Sequence, residues 1–352
     1  MNLSKQQEAI VTTTAKKVVI IASAASGKTA VLTERVKHLL SHGADPKKVV
    51  LITFTNAAAE ELADRLDHPA GLFIGTIHSY ANYLLLANGE ETADILEAEQ
   101  FDKLFERIKN HPECLRDVEH LLLDESQDSN ENHFEFLLDM VKPKNYMIVG
   151  DHKQSIYRWN GAYPDYLINL AKDPDVTTYD LTENYRNGYR ILDFAKNIIL
   201  GAGYEYRDSS VPMKGTSGRV IDVEYSPHAI ASTIKSYGNF KDWFVLTRTN
   251  DQIDEICRAL RAVGVPYDTF KRSELDNKEL NKKMKQETVK VLTIHTSKGL
   301  ESSNVVVIGA KFFNIEERCI SYVAATRAKS LLVWTRMPNK KKFAQRMSSW
   351  ER

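Results

Sequence analysis

The residues ASAASGKT, from Ala22 to Thr29, are the most informative short segment of this chain. They keep the second half of the phosphate-binding pattern G-x-x-x-x-G-K-[ST], but Ala22 stands where the pattern has its first glycine. In that pattern the lysine ammonium reaches the β- and γ-phosphates of a nucleotide, and the final hydroxyl ligates Mg²⁺. The segment therefore indicates a nucleotide site. The alternative is an ordinary strand-to-helix turn with an exposed lysine.

The residues on both sides of this segment bear on that choice. An apolar, β-branched run over residues 16–21 is suited to a buried strand, and apolar residues recur at helical spacing from Thr29 to Leu40. The order is therefore strand, loop and helix. This order places the loop amides and the positive end of a helix where an anion can bind.

The composition limits the kinds of partner that the chain can have. Among its 352 residues, Lys plus Arg and Asp plus Glu both number 47, so the formal net charge is zero. A protein that coats itself with nucleic acid is usually basic. Any contact with nucleic acid is therefore expected in a localised groove.

The cysteines and the apolar runs indicate where the protein is found. Cys114, Cys257 and Cys319 are far apart and form no C-x-x-C pair, which argues against disulfides and against a zinc site. No apolar run approaches about 18 residues, the length needed for a membrane span, and the N-terminus is polar. A cytoplasmic protein without membrane contact is expected.

Apolar runs that alternate with amphipathic helical stretches indicate an α/β fold. The further runs suited to strands lie at residues 49–52, 120–123, 146–149, 243–246, 289–292, 305–308 and 331–334. They are too many for one mononucleotide-sized sheet, so two parallel sheets are predicted. A proline between acidic residues at 173–175 suggests the boundary, with domains at 1–175 and 176–352.

Polar residues follow several of these predicted strands, at the end of the sheet where chemistry gathers in α/β proteins. Asp124 and Glu125 leave the strand at 120–123, one suited to hold Mg²⁺ and the next to polarise a water. The alternative is an acidic helix N-terminus. After the strand at 146–149, Gln154 could sense a γ-phosphate, and Tyr157 and Trp159 could stack on bases. The alternative there is a loop with two half-buried aromatic residues.

Nine segments taken in order resemble motifs of the superfamily 1 helicases of the UvrD/Rep/PcrA type. They lie at residues 3–9, 51–59, 75–79, 124–128, 150–162, 184–186, 246–250, 293–301 and 322–329. This resemblance covers nearly the whole chain. It implies two tandem RecA-like domains with parallel sheets and an ATP cleft between them, and it favours the nucleotide site over the ordinary turn.

The resemblance also implies cofactors and site residues. ATP and Mg²⁺ are the expected cofactors, with Thr29 and Asp124 as metal ligands. The catalytic residues are Lys28, Glu125, Gln154, Arg186 and Arg327. The residues that contact ATP are Gln7, Ala25, Ser26, Gly27, Lys28, Thr29, Tyr185 and Glu301. The residues that contact single-stranded DNA are Phe54, Thr55, Asn56, Thr76, His78, Tyr157, Trp159, Arg248 and His295.

Two residues depart from the family pattern within these motifs. Ala25 stands where glycine is usual; its methyl costs little if φ is negative and more if φ is positive. Asn160 replaces an arginine that follows the tryptophan, so coupling between the strand site and the ATP site is expected to be looser.

Spacing between the motifs is short at the two places where the family carries large insertions. Residues 82–119 have room for two or three short helices, and residues 268–288 for a loop or a single helix. The leading interpretation is a 3′-to-5′ translocase or helicase acting on single-stranded DNA or a 3′-tailed duplex. The second is the ATPase subunit of a larger DNA complex, with a partner protein that supports unwinding. The third, a module that binds nucleotide without hydrolysis, is disfavoured by Glu125, Gln154 and Arg327.

Overall fold

The computed structural model describes residues 3–203, 206, 208–213, 215–270 and 282–337. The chain divides into two compact units, and the division falls between Glu183 and Asn184. Each unit contains a six-stranded sheet. All strand pairings within these two sheets are parallel. The predicted fold class, α/β with two parallel sheets, is confirmed.

The sheet of the first unit has the strand order β3-β2-β4-β5-β1-β6. Its strands are β1 (Lys17–Ala22), β2 (Val49–Thr53), β3 (Phe73–Thr76), β4 (His120–Leu123), β5 (Asn145–Gly150) and β6 (Thr177–Leu181). Its helices are α1 (Lys5–Val11), α2 (Lys28–Ser41), α3 (Asn56–Arg65), α4 (Ile77–Ala87), α5 (Ala93–Glu97), α6 (Lys103–Asn110), α7 (Glu131–Phe134) and α8 (Pro164–Leu170). Helix α7 continues as a π-helix over Glu135–Met140.

This first sheet is covered by apolar side chains on both faces. Successive residues of a strand point to opposite faces. Val19 therefore joins one apolar cluster, while Val18 and Ile20 join the other. Helix α4 adds Leu84 to the first cluster and α2 adds Val31 to the second. Burial on both faces explains why the strands read as continuous apolar runs.

The sheet of the second unit has the strand order β11-β12-β10-β13-β14-β9. The strands of this unit after β7 (Glu183–Asn184) are β8 (Val211–Pro212), β9 (Arg219–Glu224), β10 (Trp243–Thr247), β11 (Tyr267–Phe270), β12 (Val289–Thr293), β13 (Ser302–Ile308) and β14 (Ala328–Arg336). Strands β7 and β8 form a separate two-stranded pair. The helices are α9 (Tyr189–Leu200), α10 (Pro227–Tyr237), α11 (Asn250–Ala262) and α12 (Ile315–Ala325).

The core of the second unit forms in the same way as that of the first. Ile253 and Leu260 lie one above the other on α11, because seven residues make about two helical turns. Both pack in one cluster with Val245 of β10 and Val291 of β12. The helix is thereby fixed against the middle of its sheet.

All three cysteines are buried. Cys114 lies in the first unit with 1% of its surface exposed, and Cys257 and Cys319 lie in the second with 7% and 0% exposed. Burial raises the pKa of the Cys114 thiol above its ordinary value. Its thiolate, the reactive form, is therefore disfavoured.

The two units divide later in the chain than the boundary predicted at 175/176. Strand β6 follows the predicted boundary, yet it pairs with β1 along its whole length, from Val18↔Thr177 to Ala22↔Leu181. A strand that completes a sheet belongs to the unit of that sheet. The proline at 174 therefore ends a helical region without ending the unit.

The two short internal segments are built differently. In residues 82–119, α4 ends and α5 and α6 follow, with Leu104 and Ile108 of α6 fully buried. In residues 268–288, β11 runs to Phe270, and residues 271–281 lie outside the described part of the chain. No helix in the described ranges has both the length and the apolar character that a membrane span needs.

Candidate functional site

The loop between β1 and α2 contains two residues with left-handed backbone, Ala25 and Gly27. Gly27 has a φ of 82°, and a Cβ there would lie 2.7 Å from Nε2 of Gln7. Glycine is therefore required by the backbone conformation and by the available space. Ala25 has a φ of 57°, and at a positive φ the methyl group of alanine is unfavourable. For a residue with a Cβ this conformation costs about 1–2 kcal/mol.

Gln7 holds the loop in this conformation. Its Oε1 accepts a hydrogen bond from the Ser4 amide at 3.0 Å, as part of the cap of α1. Its Nε2 donates to the carbonyl of Ser26 at 3.1 Å. Gln7, which the sequence predicts to contact ATP, therefore positions the loop between β1 and α2.

Lys28 lies at the start of α2 and faces Glu125 from the end of β4. Its Nζ is 3.6 Å from Oε1 of Glu125, and the two side chains are 10% and 28% exposed. Thr29 follows on α2 and is half-buried. The hydroxyl of Ser26 is buried and has no hydrogen-bond partner within the described residues. A buried hydroxyl of this kind calls for a partner that the chain itself does not supply.

The two acidic residues after β4 differ in backbone and exposure. Asp124 is 4% exposed, and its Oδ1 accepts a hydrogen bond from the Glu125 amide at 2.8 Å. Glu125 has a φ of 50°, which is strained for a residue with a Cβ. Strain of this kind persists where the surrounding structure over-determines it, often at a functional site. Here the turn carries Glu125 out of the strand toward Lys28.

A buried network, which the sequence analysis missed, joins Glu125 to the loop after β5. Nε2 of Gln127 donates to Oε2 of Glu125, and Oε1 of Gln127 accepts from the Asp151 amide at 2.9 Å. Gln154 donates to Oδ2 of Asp151 at 2.7 Å, and Lys153 lies 2.8 Å from Oδ1. Gln154 therefore reaches Glu125 through two intermediate residues, Asp151 and Gln127, and the backbone amide of Asp151 makes the link between these two. No local pattern revealed this link, because Gln127 and Asp151 are 24 residues apart.

Close packing at Gly150 keeps this network in register. A Cβ at Gly150 would lie 2.4 Å from the Ser126 hydroxyl and 2.9 Å from Oε1 of Gln127. Any larger residue would push apart the ends of β4 and β5. The glycine thus allows two neighbouring strand ends to share one hydrogen-bonded cluster.

These features fit a polyphosphate bound with Mg²⁺. The loop has a helix N-terminus, a lysine ammonium and a buried hydroxyl without a partner, all suited to phosphate oxygens. Thr29 and Asp124 supply the hard oxygen atoms that Mg²⁺ prefers. Glu125 follows Asp124 and faces Lys28, and its carboxylate is suited to orient a water.

In the second unit, Arg186 and Glu301 form a short ion pair. Nε of Arg186 is 2.5 Å from Oε2 of Glu301, and Nη1 donates to the carbonyl of Thr326 at 3.2 Å. Lys329 lies 2.6 Å from the other oxygen of Glu301. Burial raises the pKa of Glu301, but Arg186 and Lys329 outweigh this effect and lower the pKa to about 2. Tyr185, predicted to stack on a base, is 40% exposed beside them.

Arg327 lies close to this pair but is almost fully buried. It is 2% exposed, and its guanidinium donates to the carbonyls of Val323 at 3.0 Å and Leu300 at 3.2 Å. It also donates to the hydroxyl of Thr326 at 3.2 Å. Arg186 and Arg327 therefore meet at Thr326, and Arg327 stabilises the fold of its unit in this state.

The aromatic residues predicted to contact DNA form a row in the first unit. The ring of Phe54 stacks on Tyr157, with centroids 5.3 Å apart and planes 24° apart. Tyr157 meets Trp159 edge-on at 6.3 Å. Tyr157 is 7% exposed and Trp159 is 66% exposed. The row thus runs from the half-buried Phe54 through the buried Tyr157 to the exposed Trp159, whose ring is available for stacking.

The polar residues predicted to contact DNA in the first unit differ in their contacts. Thr55 and Thr76 accept hydrogen bonds at the N-termini of α3 and α4, from the amides of Ala58 and Ser79. Asn56 is exposed. His78 is only half-buried but is engaged by other residues, as described below. Thr55 and Thr76 therefore serve as helix caps in this structure.

The corresponding residues of the second unit are Arg248 and His295. Arg248 makes a two-pronged ion pair with Glu317, with N–O distances of 3.0 and 2.7 Å. These hydrogen bonds raise the pKa of Arg248 above its ordinary value. His295 is half-buried after β12. No local pattern indicated that the charge of Arg248 would be matched by Glu317, because the two residues are 69 positions apart.

Comparison with known proteins matches most of the chain to one family. A model described as the UvrD/REP helicase N-terminal domain matches residues 3–112 and 100–175. A model of the UvrD-like helicase C-terminal domain matches residues 268–338. The matched ranges contain the phosphate-binding loop, both acidic residues after β4, and Arg327.

Individual relatives are distant. A protein named ATP-dependent DNA helicase PcrA from Leuconostoc citreum is 27% identical over 69% of this chain and 46% of its own length. The ATP-dependent DNA helicase Rep of Escherichia coli is 24% identical over 69% of this chain and 51% of its own length. A probable DNA helicase of Mycoplasma pneumoniae is 24% identical over 94% of this chain and 82% of its own length. The chain spans about half the length of the PcrA and Rep relatives.

Proposed function

Because this chain belongs to the UvrD/Rep helicase family, we propose that it is a DNA-dependent ATPase that moves along single-stranded DNA in the 3′-to-5′ direction. The observation that carries the proposal is the pair of Lys28 and Glu125 beside the loop whose Ser26 hydroxyl lacks a partner. The direction of movement rests on the family resemblance.

In this proposal, Lys28 binds the β- and γ-phosphates of ATP, and Thr29 and Asp124 hold Mg²⁺. Bound Mg²⁺ neutralises charge on the phosphate oxygens. Glu125 orients the attacking water and accepts its proton. For Lys28 to reach phosphate, its contact with Glu125 must loosen, which also frees the carboxylate for the water.

The network through Gln127 offers a route from ATP to DNA. It joins Glu125 to Asp151 and Gln154, and the same loop continues to Tyr157 and Trp159. A base that stacks on Trp159 would press on the loop that holds Gln154. We propose that DNA stimulates hydrolysis through this hydrogen-bonded path, with Asn160 making the coupling looser than in relatives.

Arg186 and Arg327 are proposed to act on the same reaction, by stabilising charge on the transferring phosphoryl group. Arg186 must leave Glu301 to do so, and Arg327 must leave backbone carbonyls. Glu301 would then be available to ATP, as the resemblance implies. Tyr185 is exposed and suited to stack on the base.

A second candidate function is an ATPase subunit that unwinds weakly without a partner protein. The observation in its favour is the size of segment 82–119, which contains the end of α4, the short helices α5 and α6 and a 3₁₀ turn at Pro112–Cys114. Opening DNA requires roughly 1.4 kcal/mol per base-pair step. A short segment offers little surface with which to hold the duplex while that work is done.

ATP turnover with and without single-stranded DNA tests the main proposal. Wild-type turnover should rise with DNA, and Glu125→Gln should bind ATP without cleaving it. Trp159→Ala should weaken strand binding by about 1–3 kcal/mol, the value of one stacked base, while the DNA-free rate stays the same. A wild-type rate that DNA does not change would refute the proposed coupling.

Unwinding separates the two candidate functions. The measurement is single-turnover separation of a 3′-tailed duplex whose tail holds only one protein molecule. Efficient strand separation supports a helicase that works alone. Vigorous ATP turnover with little separation, improved by additional molecules, supports the subunit.

A further inference from the structure

We propose that His78, Asp102 and His133 form a binding site for one divalent transition-metal ion, of which Zn²⁺ is the best fit. One imidazole nitrogen from each histidine and one carboxylate oxygen all lie within 4.8 Å of one another. His78 lies on the first turn of α4, Asp102 immediately before α6 and His133 on α7. In the described part of the chain, no other group of three such side chains is this compact.

The spacing of the ligand atoms suits a tetrahedral ion. Nε2 of His78 is 3.2 Å from Oδ1 of Asp102. Bonds of about 2.0–2.2 Å from zinc to nitrogen and oxygen place neighbouring ligands of a tetrahedral site roughly 3.3–3.5 Å apart. Two of the three ligands therefore already have the required separation. A small movement of His133 brings in the third.

A second, independent observation at His133 points to a bound ligand. The residue is 8% exposed, and its Nε2 is buried with no hydrogen-bond partner among the described residues. Imidazole nitrogens are the commonest metal ligands among protein side chains.

Metal binding at Nε2 requires one local rearrangement. The amide of Asn130 donates to Nδ1 of His133 at 3.3 Å, which places the ring proton on Nε2. A metal ion at Nε2 would move this proton to Nδ1 and end that hydrogen bond. The loss of one long, neutral hydrogen bond is small beside the gain of three metal–ligand bonds.

The surroundings orient the ligands and leave an opening for solvent. Phe105 stacks on the His78 ring, with centroids 5.2 Å apart and planes 21° apart. Oδ2 of Asp102 accepts from Nδ2 of Asn132 at 3.5 Å, so Oδ1 stays directed to the histidines. Supporting contacts of this kind are typical around metal ligands. Asp102 is exposed, so an ion can enter and a water can complete four-coordination.

The ligand types favour zinc over Mg²⁺ or Ca²⁺, which prefer oxygen ligands. The cysteine pattern argued against a zinc site made of thiolates, and this site uses none. A bound ion would connect the start of α4 and helix α7 to the start of α6. His78 would then be held as a ligand and would not contact DNA.

The first test uses the full chain, stripped of metal by a chelator and titrated with Co²⁺ as a spectroscopic probe. We expect saturation at one Co²⁺ per chain, the strong visible absorption of four-coordinate cobalt, and displacement by Zn²⁺. Weak absorption typical of six-coordinate cobalt, or the absence of saturation, would overturn the proposal.

The second test compares variants. His133→Gln keeps a side chain that can cap α7 but lacks the imidazole, and Asp102→Asn keeps the shape but removes the charge. Both should weaken Zn²⁺ binding more than about 100-fold, beyond the 10- to 100-fold effect of losing a supporting group. Zn²⁺ should raise the melting temperature of the wild type and not that of His133→Gln.

The matched control is His68→Ala. The ring of His68 pairs with Asp64 at 2.9 Å on an exposed part of the same unit, without a third ligand. This variant should bind Zn²⁺ as the wild type does. If His68→Ala loses as much affinity as the site variants, or if the site variants lose none, the ion binds elsewhere and the assignment is wrong.

Discussion

Lys28 in the first unit and Arg186 in the second each face a glutamate, but the two pairs are held differently. Lys28 lies 3.6 Å from Glu125, and the second oxygen of Glu125 accepts from a neutral amide, that of Gln127. Arg186 lies 2.5 Å from Glu301, whose second oxygen meets Lys329. One pair is loose and the other is locked by two cations. The contrast indicates that a phosphate can displace Glu125 from Lys28 more readily than it can displace Glu301 from Arg186.

The largest expected effect is that of Lys28→Ala. If the loose pair is the phosphate site, its loss should lower ATP turnover on the order of 10³-fold or more, the scale of losing a cation from a phosphoryl-transfer site. Lys37→Ala is the control, because Lys37 lies on the same helix with an exposed partner, Glu34, at 3.1 Å. More than a few per cent of wild-type turnover in Lys28→Ala would contradict the assignment.

Arg327→Ala tests the second unit with an effect of similar or slightly smaller size. As a residue that stabilises transferring phosphate, it should lower kcat on the order of 10³-fold while ATP still binds. Because its guanidinium donates to three buried acceptors, the variant should also lower the melting temperature. Arg186→Ala, whose arginine is less buried, should lower kcat with less effect on melting. A collapse of nucleotide affinity in Arg327→Ala would instead make this arginine a ground-state binder.

Glu301→Gln tests the locked pair through pH. The pKa of Glu301 is lowered to about 2, so the carboxylate stabilises the fold above its unfolded pKa, near 4.5, and this stabilisation fades as the pH falls toward 2. We expect a difference of about 1 kcal/mol in unfolding free energy at neutral pH, because water screens this partly exposed group. Urea unfolding of wild type and variant from pH 7 to pH 2.5 measures it.

The control for this pH series is Glu60→Gln, on the exposed face of α3. Its difference from the wild type should stay near zero across the range. A Glu301→Gln curve that runs parallel to the wild type at every pH would show that the second pair is no more tightly held than the first.

The smallest expected effect belongs to the loop of the first unit. Ala25→Gly should stabilise the protein by about 0.5 kcal/mol, because glycine adopts the φ of 57° without the strain of a Cβ but loses more backbone entropy on folding. Ala24→Gly, at the neighbouring fully buried alanine, should destabilise it, since no positive φ is relieved there. Thermal unfolding of both variants distinguishes them. Equal losses in both would show that the loop is not strained at Ala25.

The sequence predicted the central strands and missed the edges, and the reason is burial. The predicted runs coincide with the inner strands of both sheets, which are largely buried and therefore mostly apolar, with exceptions such as Lys290 in β12. The strands that were not predicted include β3 and β6 at the edges of the first sheet and β11 and β9 at the edges of the second. Edge strands are partly exposed, so polar residues interrupt their pattern.

The candidate site divides in a similar way. Lys28 could be predicted from the loop pattern between β1 and α2, and Asp124 and Glu125 because they directly follow β4. The partners of His78 and Arg248 could not, since Asp102 is 24 residues and Glu317 is 69 residues away. Pairings across such distances depend on packing, which local periodicity does not encode. The DNA contacts of His78 and Arg248 stay predictions. Each residue would have to leave its carboxylate partner before it could bind DNA.

Because the three thiols are buried, the rates at which they react with a thiol reagent report how fast each part of the protein opens. Cys114 reports on the first unit, while Cys257 and Cys319 report on the second. A thiol reagent can modify each of them only when the surrounding core opens. Mass spectrometry of labelled peptides over time would therefore give separate opening rates for the two units, without any engineered probe. The same measurement with added nucleotide would show which unit the nucleotide stabilises.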